Sequence, residues 1–155
     1  MSEKTFSENA RKLCREIMTR SVKTATPQTR LKDAALLMRA EDVGAIPVVE
    51  NGKLVGIVTD RDIVVRAIAE GKNAETNIGE VMTTEIFSIR EDDFVFAAIR
   101  LMGDKQIRRI PVVNDAGELA GIIAMADVAL ETEDEHEIAE TLEDISSGAG
   151  FWKKG

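Results

Sequence analysis

Residues 43–62 read VGAIPVVENGKLVGIVTDRD, and this stretch decides the fold. Residues 107–127 repeat its pattern as IRRIPVVNDAGELAGIIAMAD. Each copy has an Ile-Pro-Val-Val run, a turn containing glycine, a second apolar run opened by glycine, and a closing aspartate, Asp62 or Asp127. The copies are offset by 64 residues up to the second turn, where one inserted residue makes the offset 65. A repeat of this length indicates two copies of one small domain.

The repeat continues on the N-terminal side of both stretches. Met18-Thr19 matches Met82-Thr83 at the same offset. Apolar residues spaced i, i+3, i+4 and i+7 predict a helix over residues 29–40 and a counterpart that starts near residue 93. Asp92 or Asp93 is the expected N-cap of the second helix.

Turn signals place the remaining elements. Asn51-Gly52 between two apolar runs predicts a β-hairpin, and a short extended segment is expected over residues 22–26. A helix from Arg61 to Glu70, ended by Gly71, should follow the first hairpin, and another should follow the second from Ala126. Each half then reads strand–helix–strand–strand–helix, which is an α+β unit.

These patterns divide the chain into five segments. Halves of about 64 residues are marginal alone, so we expect them to share a core or an interface. An amphipathic helix over residues 7–17, with Ser7 as N-cap, is expected at the start of the chain. The expected segments are an N-terminal helical extension (1–16), a first domain (17–71), a linker (72–80), a second domain (81–130), and an acidic C-terminal helix with a flexible tail (131–155).

Composition indicates a soluble globular protein. Of 155 residues, 44% are apolar and 31% are charged, and no apolar run reaches the length of a membrane span. The charged N-terminus lacks the apolar core of a secretory signal. The single cysteine, Cys14, precludes an intramolecular disulfide and suits a reducing compartment. We therefore expect a cytoplasmic protein that does not enter a membrane.

The net charge of −8 is concentrated in one segment. Residues 131–144 carry eight acidic residues and no Lys or Arg, so the rest of the chain is neutral overall. Apolar residues within this segment predict a helix that packs on the body of the protein or on a partner. An acidic chain makes general nucleic-acid binding an unlikely function, and the bases of residues 11–20 read more simply as a solvated helix face.

In these features the chain resembles a stand-alone pair of tandem CBS (cystathionine-β-synthase) domains. The resemblance covers residues 17–70 and 81–130, and its strongest mark is the pattern glycine–apolar–apolar–Thr-x-x-Asp over residues 56–62. It implies two β-α-β-β-α domains packed with pseudo-twofold symmetry, and a homodimeric disk. It also implies an adenosine-containing effector, namely AMP, ADP, ATP or S-adenosylmethionine, with no cofactor required.

The resemblance assigns candidate ligand contacts residue by residue. Asp62 and Asp127 are the ribose candidates, and Thr59 lies near the ribose and phosphate. The expected adenine pocket comprises Thr24, Ala25, Thr26, Ile46, Pro47, Ser88, Ile89, Ile110 and Pro111. Paired arginines suit phosphate recognition, so Arg108, Arg109 and, less strongly, Arg61 are further phosphate candidates. The plainer alternatives are that the aspartates only cap helices and that the arginines are solvated or form salt bridges.

The second copy departs from the motif, because Ala124 stands where the first copy has Thr59. Alanine cannot donate a hydrogen bond, which removes an anchor of about 1 kcal/mol. We therefore expect the first-copy site to be the stronger one.

The sequence shows no catalytic constellation. Its single histidine, His136, has no nucleophile partner that would indicate an enzyme. The acids around His136 are a signal of composition only and do not indicate a metal site. The leading hypothesis is a regulatory sensor that acts on a partner protein not yet known. The alternative is a ligand-independent protein-interaction or scaffold module.

Overall fold

The computed structural model describes residues 11–131, and these form two compact units. The first-copy unit comprises residues 21–87 and 116–119. The second-copy unit comprises, among the described residues, 11–20, 88–115 and 120–131. The unit boundaries therefore do not follow the boundaries of the sequence repeat, because the segment before each copy packs with the other copy's unit.

The elements alternate helices and strands as the α+β prediction requires. In chain order they are α1 (Cys14–Ile17), α2 (Leu31–Glu41), β1 (Ala45–Glu50), β2 (Lys53–Thr59), α3 (Asp60–Asp62), a π-helix (Ile63–Ile68), a 3-10 helix (Ile78–Glu80), β3 (Ile89–Arg90), α4 (Val95–Lys105), β4 (Arg109–Val113), β5 (Leu119–Ala124) and α5 (Met125–Glu131).

The hairpin of the first-copy unit forms as predicted. β1 and β2 pair antiparallel, and the turn between them places Asn51 at φ 53° and Gly52 at φ 81°. Two consecutive residues with positive φ match the twist of the strands they join, which is why Asn-Gly is favoured there. Ala25 adds a parallel bridge to Val48, so the expected first strand is reduced to one paired residue.

The helical stripes predicted from apolar spacing are the buried faces. In the first-copy unit, α2 buries Leu31, Ala34 and Met38 against the hairpin. In the second-copy unit, α4 buries its counterpart stripe against a three-stranded sheet of order β3-β4-β5, in which β3 and β4 are parallel. The α4 stripe consists of Val95, Ala98, Ile99 and Met102.

The predicted N-cap of α4 is wrong. The cap is Phe94, with extended backbone, and the Asp93 carboxylate instead accepts a hydrogen bond from the backbone N–H of Arg90 at 3.0 Å. That bond closes the turn between β3 and α4. The Asp93 carboxylate therefore binds a backbone N–H that precedes the helix and does not cap α4.

The segment that precedes each copy packs with the unit of the other copy. Thr19 pairs with Ile122 in the second-copy unit, and Thr83 pairs with Ile57 in the first-copy unit. Residues 72–80 are also more than a linker. Ile78 is fully buried in the first-copy core. The whole stretch from 72 to 87 is part of that unit.

The helix predicted over residues 7–17 is interrupted. Its first four residues lie outside the described part of the chain, and residues 11–13 are not helical. Leu13 is extended, with φ −81° and ψ 149°, because it bridges to Phe94, and α1 starts only at Cys14. Cys14 is fully buried, and burial, with a smaller contribution from Asp93, raises the pKa of its thiol to about 12.

The helix predicted after the first hairpin is confirmed, with an irregular second half. Ala69 N–H donates to Val64 O at 2.9 Å, which is the wider spacing of a π-helix. Lys72 N–H donates to Ala67 O at 2.9 Å and Gly71 N–H to Ile68 O at 3.1 Å, which is the Schellman arrangement that closes a helix end. Gly71 ends it at φ 76°.

Two further sequence predictions concern a membrane span and the residues that follow residue 131. No helix within residues 11–131 is long and apolar enough to cross a membrane. The acidic helix, the flexible tail and His136 lie outside the described residues.

Candidate functional site

The first-copy motif closes on itself where β2 ends and α3 begins. Thr59 N–H donates to Asp62 Oδ2 at 3.0 Å, and Asp62 N–H donates to Thr59 Oγ1 at 3.0 Å. This reciprocal pair is a capping box, which satisfies two backbone donors at a helix start. Threonine and aspartate three residues apart therefore stabilise the local fold even without a ligand.

Asp62 is also held from the side. Thr83 Oγ1 lies 3.2 Å from each carboxylate oxygen of Asp62, and Arg66 Nε lies 3.8 Å from Oδ1. Asp62 is 7% exposed, and within the described part of the chain it is the one charged residue that is buried. Buried carboxylates persist where hydrogen bonds and a positive charge compensate the loss of water, and Asp62 has both.

Gly56 allows the backbone at Thr83 to lie close to β2. An added Cβ at Gly56 would lie 2.9 Å from Thr83 O and 2.9 Å from Met82 Sδ. The backbone groups of Ile57 and Thr83 exchange hydrogen bonds of 2.9 and 2.8 Å, and Arg66 Nη1 lies 3.4 Å from Val81 O. The glycine of the motif therefore serves backbone packing, while its Thr and Asp supply polar groups.

The second-copy motif is built alike, with fewer polar contacts. Ala124 N–H donates to Asp127 Oδ2 at 2.9 Å, which repeats half of the capping box. Gly121 permits an even closer approach, since an added Cβ would lie 2.6 Å from Thr19 O. Asp127 is half-buried rather than buried, and no threonine hydroxyl supports it from position 124.

The candidate adenine-pocket residues lie beside the motifs within each unit. Ala25 N–H donates to Pro47 O at 3.0 Å, and Ala45 lies opposite Thr59 in the β1–β2 register, so strand pairing connects the pocket residues to the motif. In the second-copy unit Ile89 lies opposite Val112 in β4.

Burial divides these pocket candidates into two groups. Thr24, Thr26 and Ser88 are exposed, whereas the apolar candidates are buried. The buried ones are Ala25, Ile46, Pro47, Ile89, Ile110 and Pro111. The exposed residues are therefore available for direct contact, and most of the buried ones support the backbone from the core.

The phosphate candidates differ between the copies. Arg108 and Arg109 are exposed, and Arg108 O accepts a 2.8 Å hydrogen bond from Met125 N–H, which ties the arginine pair to the start of α5. The equivalent bond in the first copy runs from Asp60 N–H to Gly44 O at 2.9 Å. Arg61 is exposed, and its backbone N–H donates to Asp60.

The backbone bond from Met125 N–H to Arg108 O fixes the arginine pair at the start of α5, the helix that carries Asp127. This charge distribution suits a phosphorylated ligand.

Residues 14–68 and 78–133 match the model of the CBS domain family. The chain belongs to the CBS domain family, and it carries two CBS domains in tandem. It is 41% identical over 132 residues to CBS domain-containing protein YhcV of Bacillus subtilis, covering 85% of this chain and 94% of that protein. The match covers nearly the full length of that relative, so the relative is a stand-alone CBS pair.

Two solved CBS structures are similar to this chain and contain adenosyl ligands. The CBS domain pair of MJ0100, in complex with 5′-methylthioadenosine and S-adenosyl-L-methionine, has a TM-score of 0.67 and 29% identity, covering 77% of this chain and 94% of that one. CBSX2 in complex with AMP has a TM-score of 0.68 and 26% identity, covering 76% and 93%. Proteins similar to this chain therefore bind adenosine-containing molecules.

Sequence reasoning missed two residues that lie against the Asp62 carboxylate, Thr83 and Arg66. Met82-Thr83 was identified only as a mark of the repeat, because nothing in the sequence shows that it packs against the motif of the other copy. Thr83 could have been identified from the repeat, because Thr19 and Thr83 occupy equivalent positions in the two copies and both carry a hydroxyl. Arg66, four residues after Asp62, could have been found from helical spacing. Within the described residues, no cluster of three or more His, Cys, Asp or Glu side chains could hold a metal.

Proposed function

We propose that this CBS pair is a cytoplasmic regulatory sensor of an adenosine-containing ligand, AMP, ADP, ATP or S-adenosylmethionine, and not an enzyme. The observation that carries the proposal is the buried Asp62 carboxylate, fixed at the start of α3 by Thr59 and Thr83. A carboxylate can accept both hydroxyls of a ribose, and a fixed one does so at a small entropic cost. The ligands named for the similar solved structures support the choice of adenosine.

The proposed contacts follow the geometry of each unit. Asp62 and Asp127 would accept from the ribose, and the exposed backbone beside Ala25 and Ile89 would face the adenine. Arg108 and Arg109 would bind phosphate in the second-copy unit, and Thr59 and Arg61 would contact it in the first. Since the Thr59 hydroxyl already accepts from Asp62 N–H, it can still donate its own proton to a ligand oxygen.

The output of the sensor is proposed to be a change in the arrangement of a homodimer that alters contact with a partner protein. An exposed apolar face supports self-association. On the helical segment after Asp62, Val64, Val65 and Ile68 are 56%, 44% and 66% exposed. The same face is the observation that favours the second candidate function, a protein-interaction module that needs no ligand, because adjacent exposed apolar residues mark interaction sites.

Ligand-dependent thermal unfolding tests the proposal. The protein is unfolded with AMP, ADP, ATP or S-adenosylmethionine, and with inorganic triphosphate as a control for non-specific anion binding. A ligand at 100 times its dissociation constant adds about 2.7 kcal/mol to the free energy of unfolding. We expect stabilisation by at least one adenosyl ligand and none by inorganic triphosphate. If no adenosyl ligand stabilises the folded protein, the interaction-module function replaces the sensor.

A further inference from the structure

Thr83 occupies the carboxylate on which the proposed ribose contact depends. Its hydroxyl lies at hydrogen-bond distance from both oxygens of Asp62, 3.2 Å in each case. An alcohol that donates to a carboxylate is chemically the same group that a ribose would present. Thr83 therefore resembles the sugar hydroxyl in the contact that it makes.

The other two groups near the Asp62 carboxylate, on Thr59 and Arg66, differ from the Thr83 hydroxyl. Thr59 N–H belongs to the capping box, so it is fixed by the helix start. Arg66 is 3.8 Å away, beyond ordinary hydrogen-bond distance. The Thr83 hydroxyl hydrogen, in contrast, is free to rotate about the Cβ–Oγ bond and can leave the carboxylate without a change in the backbone.

The burial of Asp62, rather than the number of its acceptor positions, makes the contacts compete. A carboxylate offers about four lone-pair positions. Thr59 N–H takes one on Oδ2, and the Thr83 hydroxyl lies against both oxygens. With Asp62 7% exposed, a ribose that used both oxygens would meet the Thr83 hydroxyl on each of them.

We propose that the Thr83 hydroxyl competes with the ribose hydroxyls of the ligand for Asp62, so that Thr83 sets the affinity of the first-copy site for ribose-containing ligands. This inference rests on the proposed function, since it requires that Asp62 binds a ribose. Thr83 acts through Asp62 and is a specificity-determining residue rather than a direct ligand contact. Because Thr83 belongs to the segment that leads into the second copy, occupation of Asp62 by a ribose also releases a side-chain tether of that segment.

The second copy supplies a matched control. Thr19 has the same backbone pairing as Thr83, with hydrogen bonds of 2.9 and 3.0 Å to and from Ile122. Its side chain is exposed, and within the described residues the hydrogen bond to the Asp127 carboxylate comes from Ala124 N–H. Removing the Thr19 hydroxyl therefore changes a residue of equal type and backbone position that does not compete for its aspartate.

Calorimetric titration tests the inference. The probes are AMP and ATP and their 2′,3′-dideoxy forms, and all variants carry Asp127→Asn, which weakens the second-copy site so that the tighter of two binding events is that of the first-copy site. The variants are the Asp127→Asn parent, Thr83→Val, Thr83→Ser and Thr19→Val. We expect Thr83→Val to bind a ribonucleotide about three- to tenfold more tightly than the parent. Thr83→Ser, which keeps the hydroxyl, and Thr19→Val should stay within about twofold of the parent.

The dideoxy probes separate competition from a general change in the site. They lack the hydroxyls that compete, so Thr83→Val should leave their affinity unchanged. Equal or weaker ribonucleotide binding by Thr83→Val overturns the inference while leaving the sensor function intact. Absence of nucleotide binding in the parent also overturns it, and the ligand panel on the wild type then decides whether the sensor function fails as well. If Thr83→Val does not fold, Thr83→Ala takes its place with the same expected gain.

Discussion

Thr59 and Asp62 hold each other through two hydrogen bonds of 3.0 Å, each from the backbone N–H of one residue to the side-chain oxygen of the other. The pair fixes the Asp62 side chain at the junction of β2 and α3. A residue that caps a helix in this way is already oriented, so the same contacts that stabilise the fold prepare the carboxylate for a ligand. The capping and ribose-binding interpretations of Asp62 are therefore compatible.

Thr59→Ala should lower the free energy of unfolding by about 1 kcal/mol, because it removes the side-chain oxygen that accepts from Asp62 N–H. The natural absence of this hydroxyl at Ala124 offers the reverse experiment. Ala124→Thr should complete the second-copy capping box and raise stability by up to about 1 kcal/mol. Urea unfolding measures both. Equal stability of Thr59→Ala and the wild type would show that the capping box contributes nothing.

Gly121→Ala should destabilise the second-copy unit, since its Cβ would lie 2.6 Å from Thr19 O, closer than real contacts allow. The expected loss is about 1–3 kcal/mol. Gly56→Ala should lose somewhat less, because its nearest atoms are at 2.9 Å. Gly71→Asn is the control. Gly71 has positive φ and no atom within 4 Å of an added Cβ, and asparagine tolerates that backbone. Thermal unfolding of the three variants should rank them in this order, and full stability of Gly121→Ala would contradict the packing.

Cys14 should be unreactive in the native protein at neutral pH. Its thiol is fully buried, and burial raises its pKa to about 12 from a usual value of 9.0. The protonated thiol is favoured by the folded state, so its contribution to stability is complete below pH 9 and is lost as the pH rises towards 12. A thiol reagent should label one group per chain in denaturant and none without it. Cys14→Ala should be less sensitive to pH above 9, and rapid labelling of the native thiol would contradict the burial.

Ile68→Glu should weaken the proposed homodimer, because it places a charge on the exposed apolar face of Val64, Val65 and Ile68. Since Ile68 is 66% exposed, the fold itself should tolerate the change. Gln28→Glu adds the same charge at an exposed position outside this helical segment and serves as the control. Sedimentation velocity should show a shift towards monomer for Ile68→Glu alone. An unchanged sedimentation coefficient would place self-association, if any, on another surface.

The sequence predicted the elements well because their signals are local. Apolar spacing identified α2 and α4, and Asn51-Gly52 fixed the first hairpin, since both depend on neighbours within a few residues. The motif aspartates were identified from the repeat, and their proposed ligand role came from the resemblance to CBS domains. What the sequence could not supply is long-range pairing. The approach of Thr83 to Asp62 joins residues 21 positions apart across the copy boundary. The Asp93 cap failed because a carboxylate near a helix start can close the preceding turn instead.

Calorimetric titration of AMP, ATP and S-adenosylmethionine into the wild type, Asp62→Asn and Asp127→Asn tests the sensor function most directly. Asparagine keeps an oxygen that can accept from Thr59 N–H, so the fold is retained while the charge and one acceptor are lost. Asp60→Asn, the exposed acid beside the motif, is the matched control. We expect Asp62→Asn to weaken an adenosyl ligand about tenfold or more, with Asp60→Asn unchanged. Wild-type affinity in both Asp62→Asn and Asp127→Asn would contradict the proposed ribose contacts.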